Sequence, residues 1–220
     1  MLERLMAFGI SKNFFDVMPL GELEKSCCSN SKIEVIDYDK TKELVFSIAK
    51  IQQPKSADAL KILPDLNRID FIELKGFEKY IQHNKDKPDI NKEVSNQVEK
   101  FGLTDKIRDS LFVLAFLTKL KEFECKKFER EQYQEAKKNY IIVVDIDLYQ
   151  DPIRDRSITL AFLSENTTNI KQKIVDELNQ AVDKILISSL ENLEKPKLLS
   201  CKKIDGYYED LLKGELVYRE

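Results

Sequence analysis

Hydrophobic and polar positions along the first third of the chain alternate with the short period of β-strands. Four runs are rich in β-forming residues, at positions 33–38, 43–51, 57–63 and 69–75. The last two are separated by residues 64–68, whose sequence PDLNR has the composition of a tight turn. This part of the chain therefore predicts a β-meander that contains at least one hairpin.

Helices are predicted on both sides of the meander. An N-terminal pair of helices is expected, the second beginning near Pro19, since proline favours the first turn of a helix. After Gly76, Asp89 is a candidate N-cap for one helix, and Thr104 or Asp105 for the next.

The last third of the chain returns to strands and then to one long helix. Residues 140–147 form a continuous apolar run, which predicts a central strand buried on both faces, and residues 158–163 form a second run. Thr167 or Thr168 is expected to begin a long helix, and a short helix is expected at 208–212. The apolar stripe of the long helix consists of Ile170, Ile174, Leu178, Val182 and Ile185.

This order of elements predicts an α/β or α+β fold, with a mixed central β-sheet flanked by helices. No linker divides the 220 residues, so we expect one domain over 1–220 with a C-terminal helical extension from about 165. A hydrophobic content of 42% is too high for a disordered chain, and six glycines and six prolines are too few for most many-turned all-β designs.

The net charge and the low numbers of histidine and cysteine make several classes of function less compatible with the sequence. The net charge of −3 gives no global basic excess, so nucleic acid would have to bind at a local patch. A single histidine, His83, excludes multi-histidine metal sites and makes Ser-His-Asp or Cys-His catalysis improbable. The four cysteines contain no CxxC spacing, so they predict no zinc-ligand set, and they favour a reducing, cytoplasmic location.

Targeting and membrane segments are not expected in this sequence. The longest apolar run has seven residues, at 111–117, whereas a bilayer span needs about 20. The first 15 residues have no sustained apolar core, so no signal peptide is expected.

The hairpin at 57–75 carries the most informative chemistry. A turn centred near residue 66 places Asp58 opposite Glu73 or Leu74. Glu73 and Lys75 share one face of their strand because side chains alternate, and Asp70 lies on the other face. Two carboxylates and an ammonium group would therefore converge at one end of the hairpin.

Such a group suits phosphodiester hydrolysis. Two carboxylates can hold Mg²⁺ or Mn²⁺, which accept oxygen ligands and keep several waters. An adjacent lysine such as Lys75 can orient the attacking water or stabilise developing charge.

An aspartate, a turn and Glu-x-Lys at the end of an apolar strand resemble the PD-(D/E)XK nuclease superfamily. Asp58 matches the motif's aspartate, Glu73 its (D/E) position and Lys75 its lysine, while Ala57 replaces the motif's proline. The resemblance covers residues 15–145 as an order of elements but only 57–76 as a motif. It implies a restriction-endonuclease-like fold and an Mg²⁺- or Mn²⁺-dependent endonuclease acting on nucleic acid, with DNA favoured.

The literal Pro-Asp of the sequence is a poor match to the motif. Asp65 follows Pro64 within the predicted turn, eight positions before Glu73. At about 3.3 Å per residue, Asp65 would lie on the order of 25 Å from Glu73 along the strand, too far to share a metal.

Members of this superfamily often add an acidic residue from an N-terminal helix. In a helix from Pro19 to Cys27, Glu24 would lie on the same face as Leu20 and Leu23, and so would face inward. Glu24 is therefore a candidate third metal ligand or water-holding group. The alternative is an ordinary partner of Lys25 or a residue of a frayed helix end.

Other interpretations of the hairpin and of its neighbours stay open. The hairpin carboxylates could form only surface ion pairs with Lys75, worth less than about 1 kcal/mol. Asp145 and Asp147 could form a second acidic pair, although a cap at the end of a strand is favoured. Lysines in the segment 119–138 could contact phosphate, although a solvated helix is favoured; they are Lys126, Lys127, Lys137 and Lys138, beside Phe128 and Tyr133.

Two functions other than a nuclease are compatible with the sequence. One is a catalytically inactive nuclease-like module that binds a protein or nucleic-acid partner, since no separate DNA-binding motif is present. The other is a structural interaction protein that forms a homodimer through the long apolar stripe beginning at Ile170, which is otherwise core.

Overall fold

The computed structural model describes residues 2–84, 89–121, 133–148, 161–187 and 193–214, with the backbone alone described for 161–169 and 186–187. These residues form a mixed, six-stranded open β-sheet with helices packed on both faces. The predicted α/β class with a mixed central sheet flanked by helices is confirmed.

The strands lie side by side in the order in which they occur in the sequence. Strands β1 to β4 pair antiparallel, whereas β4, β5 and β6 pair parallel. Their bounds are β1 Val17–Pro19, β2 Glu34–Asp37, β3 Ala59–Leu63, β4 Arg68–Lys75, β5 Lys137–Val144 and β6 Lys197–Ser200.

Seven α-helices surround the sheet in the described part of the chain. Three of them, α3 to α5, lie in the connection between the parallel strands β4 and β5. The helices are α1 Leu2–Ser11, α2 Tyr38–Ala49, α3 Glu78–Asn84, α4 Ile90–Lys100, α5 Leu103–Leu117, α6 Ala161–Ile187 and α7 Cys201–Leu212. No helix among the described residues is long and apolar enough to span a membrane.

Three of the four predicted strands of the meander are confirmed as β2, β3 and β4. The strand predicted at 43–51 is wrong, because this segment belongs to α2. The Asp37 carboxylate accepts a hydrogen bond of 3.0 Å from the Lys40 backbone N–H and so caps the helix. Thr41 and Val45 are both buried one helical turn apart, so helical packing overrides the β-propensity of the segment.

The helix predicted from Pro19 is also wrong. Only Leu20–Glu22 form a single 3₁₀ turn, and the chain then continues as a loop through Cys28. Leu20 and Leu23 are nevertheless buried, in a hydrophobic cluster with residues of the sheet and of α7. A disulfide between Cys28 and Cys201 attaches the loop to the start of α7, so a helix is not needed to bury these side chains.

The predictions for the last third of the chain are confirmed in part. Strand β5 is central and buried on both faces, as its apolar run indicates. Positions 158–160 of the second predicted strand lie outside the described residues, whereas 161–163 lie in α6, so that strand is wrong there and the helix begins before Thr167. Helix α7 is longer than the predicted 208–212.

The two faces of the sheet bury separate hydrophobic clusters. On one face, Phe71 of β4 and Ile142 of β5 pack with the helices, and the predicted stripe of α6 is part of this core. On the other face, Ile72 and Val143 pack against Tyr208 of α7. Because the α6 stripe is covered by the chain itself, it is core as expected, and a homodimer stays a prediction.

Asp70 lies on the face of α7, as its position in the alternation predicts. Its carboxylate accepts hydrogen bonds from Arg68 Nε at 2.6 Å and from the hydroxyl of Tyr208 at 3.0 Å, and Asn139 also donates to it. Burial raises the pKa of Asp70 in spite of these donors. This carboxylate is a structural centre between the sheet and α7, separate from the hairpin carboxylates on the opposite face.

Candidate active site

The register of the β3–β4 hairpin brings Asp58 to Glu73. Ala59 pairs with Ile72, so the preceding residue, Asp58, lies opposite Glu73. The Asp58 N–H donates to the Ile72 carbonyl at 3.0 Å, and the Asp58 carboxylate accepts from the Leu74 N–H at 2.6 Å. The turn at Pro64–Leu66 and Asn67, which adopts a left-handed conformation, fixes this register.

Asp65 is far from the two carboxylates. It is exposed in the 3₁₀ turn at the opposite end of the hairpin from Asp58. Asp65 is therefore a solvent-exposed aspartate at the turn, whereas Asp58 lies opposite Glu73 at the other end of the same hairpin.

Glu73 is the buried centre of the site. Its side chain is fully buried and pairs with the ammonium groups of Lys75 and Lys106 through Oε1. Its second oxygen, Oε2, is buried without a hydrogen-bond partner among the described residues, as is the hydroxyl of Tyr140. Burial and the charge of Asp58 raise the pKa of Glu73, and the two lysines oppose that rise.

An orphaned carboxylate oxygen in a protein interior is unfavourable unless a donor or cation reaches it. Glu73 Oε2 accepts no hydrogen bond of ordinary geometry among the described residues. The buried Tyr140 hydroxyl lies beside the Glu73 carboxylate, and Asp58 is the neighbouring carboxylate. Lys75 Nζ also donates a hydrogen bond of 3.2 Å to the Leu74 carbonyl oxygen. This carbonyl oxygen therefore lies at the edge of the cluster formed by Asp58, Glu73 and Lys75. The oxygen donors here are of the type that Mg²⁺ or Mn²⁺ accepts.

Lys106 is the site residue that the sequence interpretation missed. It projects from the first turns of α5, with Nζ 2.6 Å from Glu73 Oε1 and 3.7 Å from Asp58 Oδ1. The charges of both carboxylates raise its pKa, so it remains an ammonium group at neutral pH although burial opposes this. The site therefore contains two carboxylates and two ammonium groups.

The backbone around Lys106 explains how α5 is held against the hairpin. The hydroxyl of Ser110, one turn later, donates to the Lys106 carbonyl at 2.7 Å and accepts from the Ala57 N–H at 2.8 Å. Ala57 immediately precedes Asp58, so the helix and the start of β3 are connected at the site. Lys106 and Ser110 are polar residues one helical turn apart, and they lie beside the buried Leu103, Ile107 and Leu114. This pattern is the sequence signal that could have identified Lys106.

Glu24 does not occupy the predicted inward position. It is exposed in the loop after the 3₁₀ turn, because the helix that would have turned it inward is absent. It lines the same cleft as Asp58, but no contact joins it to Asp58 or Glu73 in the described structure. Its predicted inward orientation is therefore wrong, whereas its part as a third metal ligand or water-holding group stays a prediction.

The cleft beside Asp58 has a volume of about 390 Å³ and is acidic. Its carboxylates are Glu22, Glu24, Asp37, Asp39, Glu43 and Asp58, whereas Lys25 and Lys40 are its cationic residues. Asp39 has a lowered pKa because Lys42 and Ser56 donate hydrogen bonds to it, which outweigh its burial. An anionic phosphodiester would require a cation to approach this surface closely.

The second acidic pair of the sequence does not form a site. The Asp145 carboxylate accepts hydrogen bonds from the backbone N–H groups of Phe77 and Glu78, the first at 2.6 Å, and so caps α3. Asp147 instead pairs with Lys202 at 3.3 Å near the surface. The expectation of a cap at the end of the strand is confirmed.

Two of the four lysines predicted to contact phosphate lie among the described residues, and two do not. Lys126, Lys127 and Phe128 lie outside the described residues. Lys137 is exposed, whereas Lys138 is buried with Nζ 4.9 Å from the centre of the Tyr133 ring. Lys138 therefore does not present its charge to a ligand in solution.

Three of the four cysteines meet behind the hairpin. Cys28 and Cys201 form the disulfide, and the Cys27 sulfur lies 3.6 Å from that of Cys201. Burial and the charge of Asp145 raise the pKa of the Cys27 thiol to about 12. No spacing pattern in the sequence indicates this cluster. The disulfide removes one support for a reducing compartment, so the cytoplasmic location stays a prediction. His83 is exposed, as expected.

Comparisons with known proteins identify no relative: no protein-family model, no curated protein and no solved structure matches the chain. The candidate site therefore rests on its own geometry.

Proposed function

We propose that the protein is a divalent-metal-dependent nuclease that hydrolyses phosphodiester bonds in nucleic acid, with DNA as the favoured substrate. The observation that carries the proposal is the buried Glu73 carboxylate beside Asp58 and two lysines, whose Oε2 accepts no hydrogen bond of ordinary geometry from the described residues. The same residues give the resemblance to the PD-(D/E)XK superfamily.

The residues of the site have distinct parts in this proposal. Asp58 and Glu73 would hold Mg²⁺ or Mn²⁺, which supplies charge neutralisation at the scissile phosphate and a more acidic water. Lys75 would orient the attacking water, since its ammonium group contacts the Glu73 carboxylate. Lys106 would stabilise the additional negative charge of the pentacovalent transition state.

Cleavage assays on single-residue variants test the proposal. We expect the wild type to cleave DNA with Mg²⁺ or Mn²⁺, and Asp58→Asn, Glu73→Gln and Lys75→Met each to lower the rate by at least about a hundredfold. Asp65→Asn is the matched control, since it removes the same charge from the other end of the hairpin. Plasmid DNA, single-stranded DNA and RNA serve as parallel substrates, and circular dichroism checks folding.

Two results would contradict this function. One is cleavage by Lys75→Met at the wild-type rate, which would exclude the assigned mechanism. The other is wild-type protein that cleaves none of the three substrates with either metal.

One observation favours the alternative of an inactive nuclease-like module. Lys75 and Lys106 already balance the charges of Asp58 and Glu73, so the ion cluster is neutral without a metal. This alternative predicts that Mn²⁺ leaves the thermal midpoint unchanged. A metal that binds only the folded nuclease would raise the midpoint in the wild type and raise it less in Glu73→Gln.

A further inference from the structure

The sulfur atoms of Cys27, Cys28 and Cys201 form a compact triangle at the junction of the first loop and α7. Cys27 Sγ lies 3.8 Å from Cys28 Sγ and 3.6 Å from Cys201 Sγ. In a tetrahedral zinc site with Zn–S bonds of about 2.3 Å, neighbouring sulfurs are separated by about 3.8 Å. Two edges of the triangle therefore already have the length that zinc requires.

The third edge is the covalent bond between Cys28 and Cys201. A phosphine reductant opens this bond: the phosphine takes up one water oxygen, and the two sulfurs gain two electrons and two protons. The two thiols can then separate by side-chain rotation, since each lies on a different segment of the chain. Reduction therefore converts a disulfide and a thiol into three potential thiolate ligands.

The surroundings also suit a bound cation. A cleft of about 340 Å³ opens beside the three sulfurs, and Lys202 and Asp205 lie on its wall. Solvent in this cleft can supply the fourth ligand. Asp205 accepts hydrogen bonds from the Ser31 hydroxyl and the Lys32 N–H, so the loop stays attached to α7 by a second contact when the disulfide opens.

We propose that the reduced protein binds one thiophilic divalent cation, of the Zn²⁺ class, on the sulfurs of Cys27, Cys28 and Cys201. Binding releases the three thiol protons to solvent, and oxidation of Cys28 and Cys201 removes two of the ligands. The site is separate from the oxygen-ligand site proposed at Asp58 and Glu73, and it prefers soft rather than hard cations.

Cobalt(II) spectroscopy under anaerobic conditions tests the proposal on the full chain. We expect phosphine-reduced wild type to show a thiolate-to-cobalt charge-transfer band that saturates at one equivalent of Co²⁺ on the sulfurs and that Zn²⁺ abolishes by displacement. Cys27→Ser should lower the band by about a third per bound cobalt or abolish saturable binding. This variant retains both disulfide cysteines, so its oxidised form should remain folded.

The controls separate this site from the rest of the protein. Cys125→Ser removes the fourth cysteine and should leave the band unchanged. Glu73→Gln should also retain the band, whether or not the nuclease proposal holds. The proposal is overturned if reduced wild type shows no thiolate band, if Cys27→Ser behaves as the wild type does, or if the disulfide form binds equally well.

Discussion

At the scale of single residues, the burial of charge is the dominant feature of this protein. Glu73 is fully buried and Lys106 is partly buried, and their charged partners lie within one small cluster. Removing one member of such a cluster costs more than an isolated contact would, because it leaves the remaining charge unpaired. Substitutions here must therefore be interpreted together with a measurement of folding.

The first residue-scale prediction concerns Lys106. We expect Lys106→Met to lower DNA cleavage by at least about tenfold, because a hydrogen bond to a charged group contributes about 1.5–3 kcal/mol. The measurement is kcat at saturating metal. Lys100→Met, on the exposed side of α4, is the control, and an unchanged kcat in Lys106→Met would show that this ammonium group has no part in the reaction.

A second residue-scale prediction concerns Lys138, which is buried beside the Tyr133 ring. Burial lowers its pKa from the usual 10.5 to about 8. Between these values the unfolded chain binds more protons than the folded protein does, so this residue makes stability rise with pH. We expect the free energy of unfolding of the wild type to increase from pH 8 to 10 relative to Lys138→Met.

The matched control for this pH dependence is Lys137→Met. Lys137 is exposed and pairs with Glu194 at 3.4 Å, so its removal should leave the slope as in the wild type. Urea denaturation at several pH values measures the difference. Parallel curves for the wild type and Lys138→Met would refute the assigned burial effect.

At the scale of elements, the end of β5 and the start of α3 depend on one carboxylate. Asp145→Ala removes the acceptor for the N–H groups of Phe77 and Glu78. We expect a loss of about 1 kcal/mol in stability, the usual cost of losing a cap. Asp147→Ala is the control, because that side chain makes an exposed ion pair with Lys202 rather than a cap. Equal losses in the two variants would contradict the capping role.

The β3–β4 hairpin was predictable because its information is local. The turn at 64–68, the alternation of side chains and the pairing of Asp58 with Glu73 all lie within 18 consecutive residues. In contrast, 43–51 has high β-propensity, yet its helix depends on packing of Val45 and Phe46 against distant parts of the chain. Local preference could not reveal that competition.

Lys106 and the sulfur triangle could not be predicted for a related reason. Lys106 reaches Glu73 across 33 positions in the sequence, and Cys201 reaches Cys28 across 173. Neither pair has a spacing motif, since each depends on how a helix docks against the sheet. The inward Glu24 was wrong for the same reason, because the loop is positioned by a distant cysteine rather than by its own helical pattern.

At the scale of the whole molecule, the Cys28–Cys201 bond connects the first part of the chain to the last helix. It closes a loop of 173 residues, so it restricts the unfolded chain strongly. We expect Cys201→Ser to lower the free energy of unfolding by about 2–5 kcal/mol under oxidising conditions. Cys28→Ser is less informative, because Cys27 lies close enough to Cys201 to replace it.

Chemical denaturation of the wild type with and without a phosphine reductant gives an independent measurement of the same effect. Cys27→Ser is the control and should unfold as the wild type does when oxidised. If reduction and Cys201→Ser both leave stability unchanged, the covalent connection does not contribute to the folded state.

The change from antiparallel to parallel pairing at β4 has a consequence for the order of folding. The β3–β4 hairpin joins neighbouring residues and can form in microseconds, whereas β5 must wait for α3 to α5 to cross from one end of the sheet to the other. We therefore expect Asp58 and Glu73 to be brought together before Lys106 arrives. The nascent hairpin must tolerate their repulsion with Lys75 alone, and docking of α5 completes the charge balance late in folding.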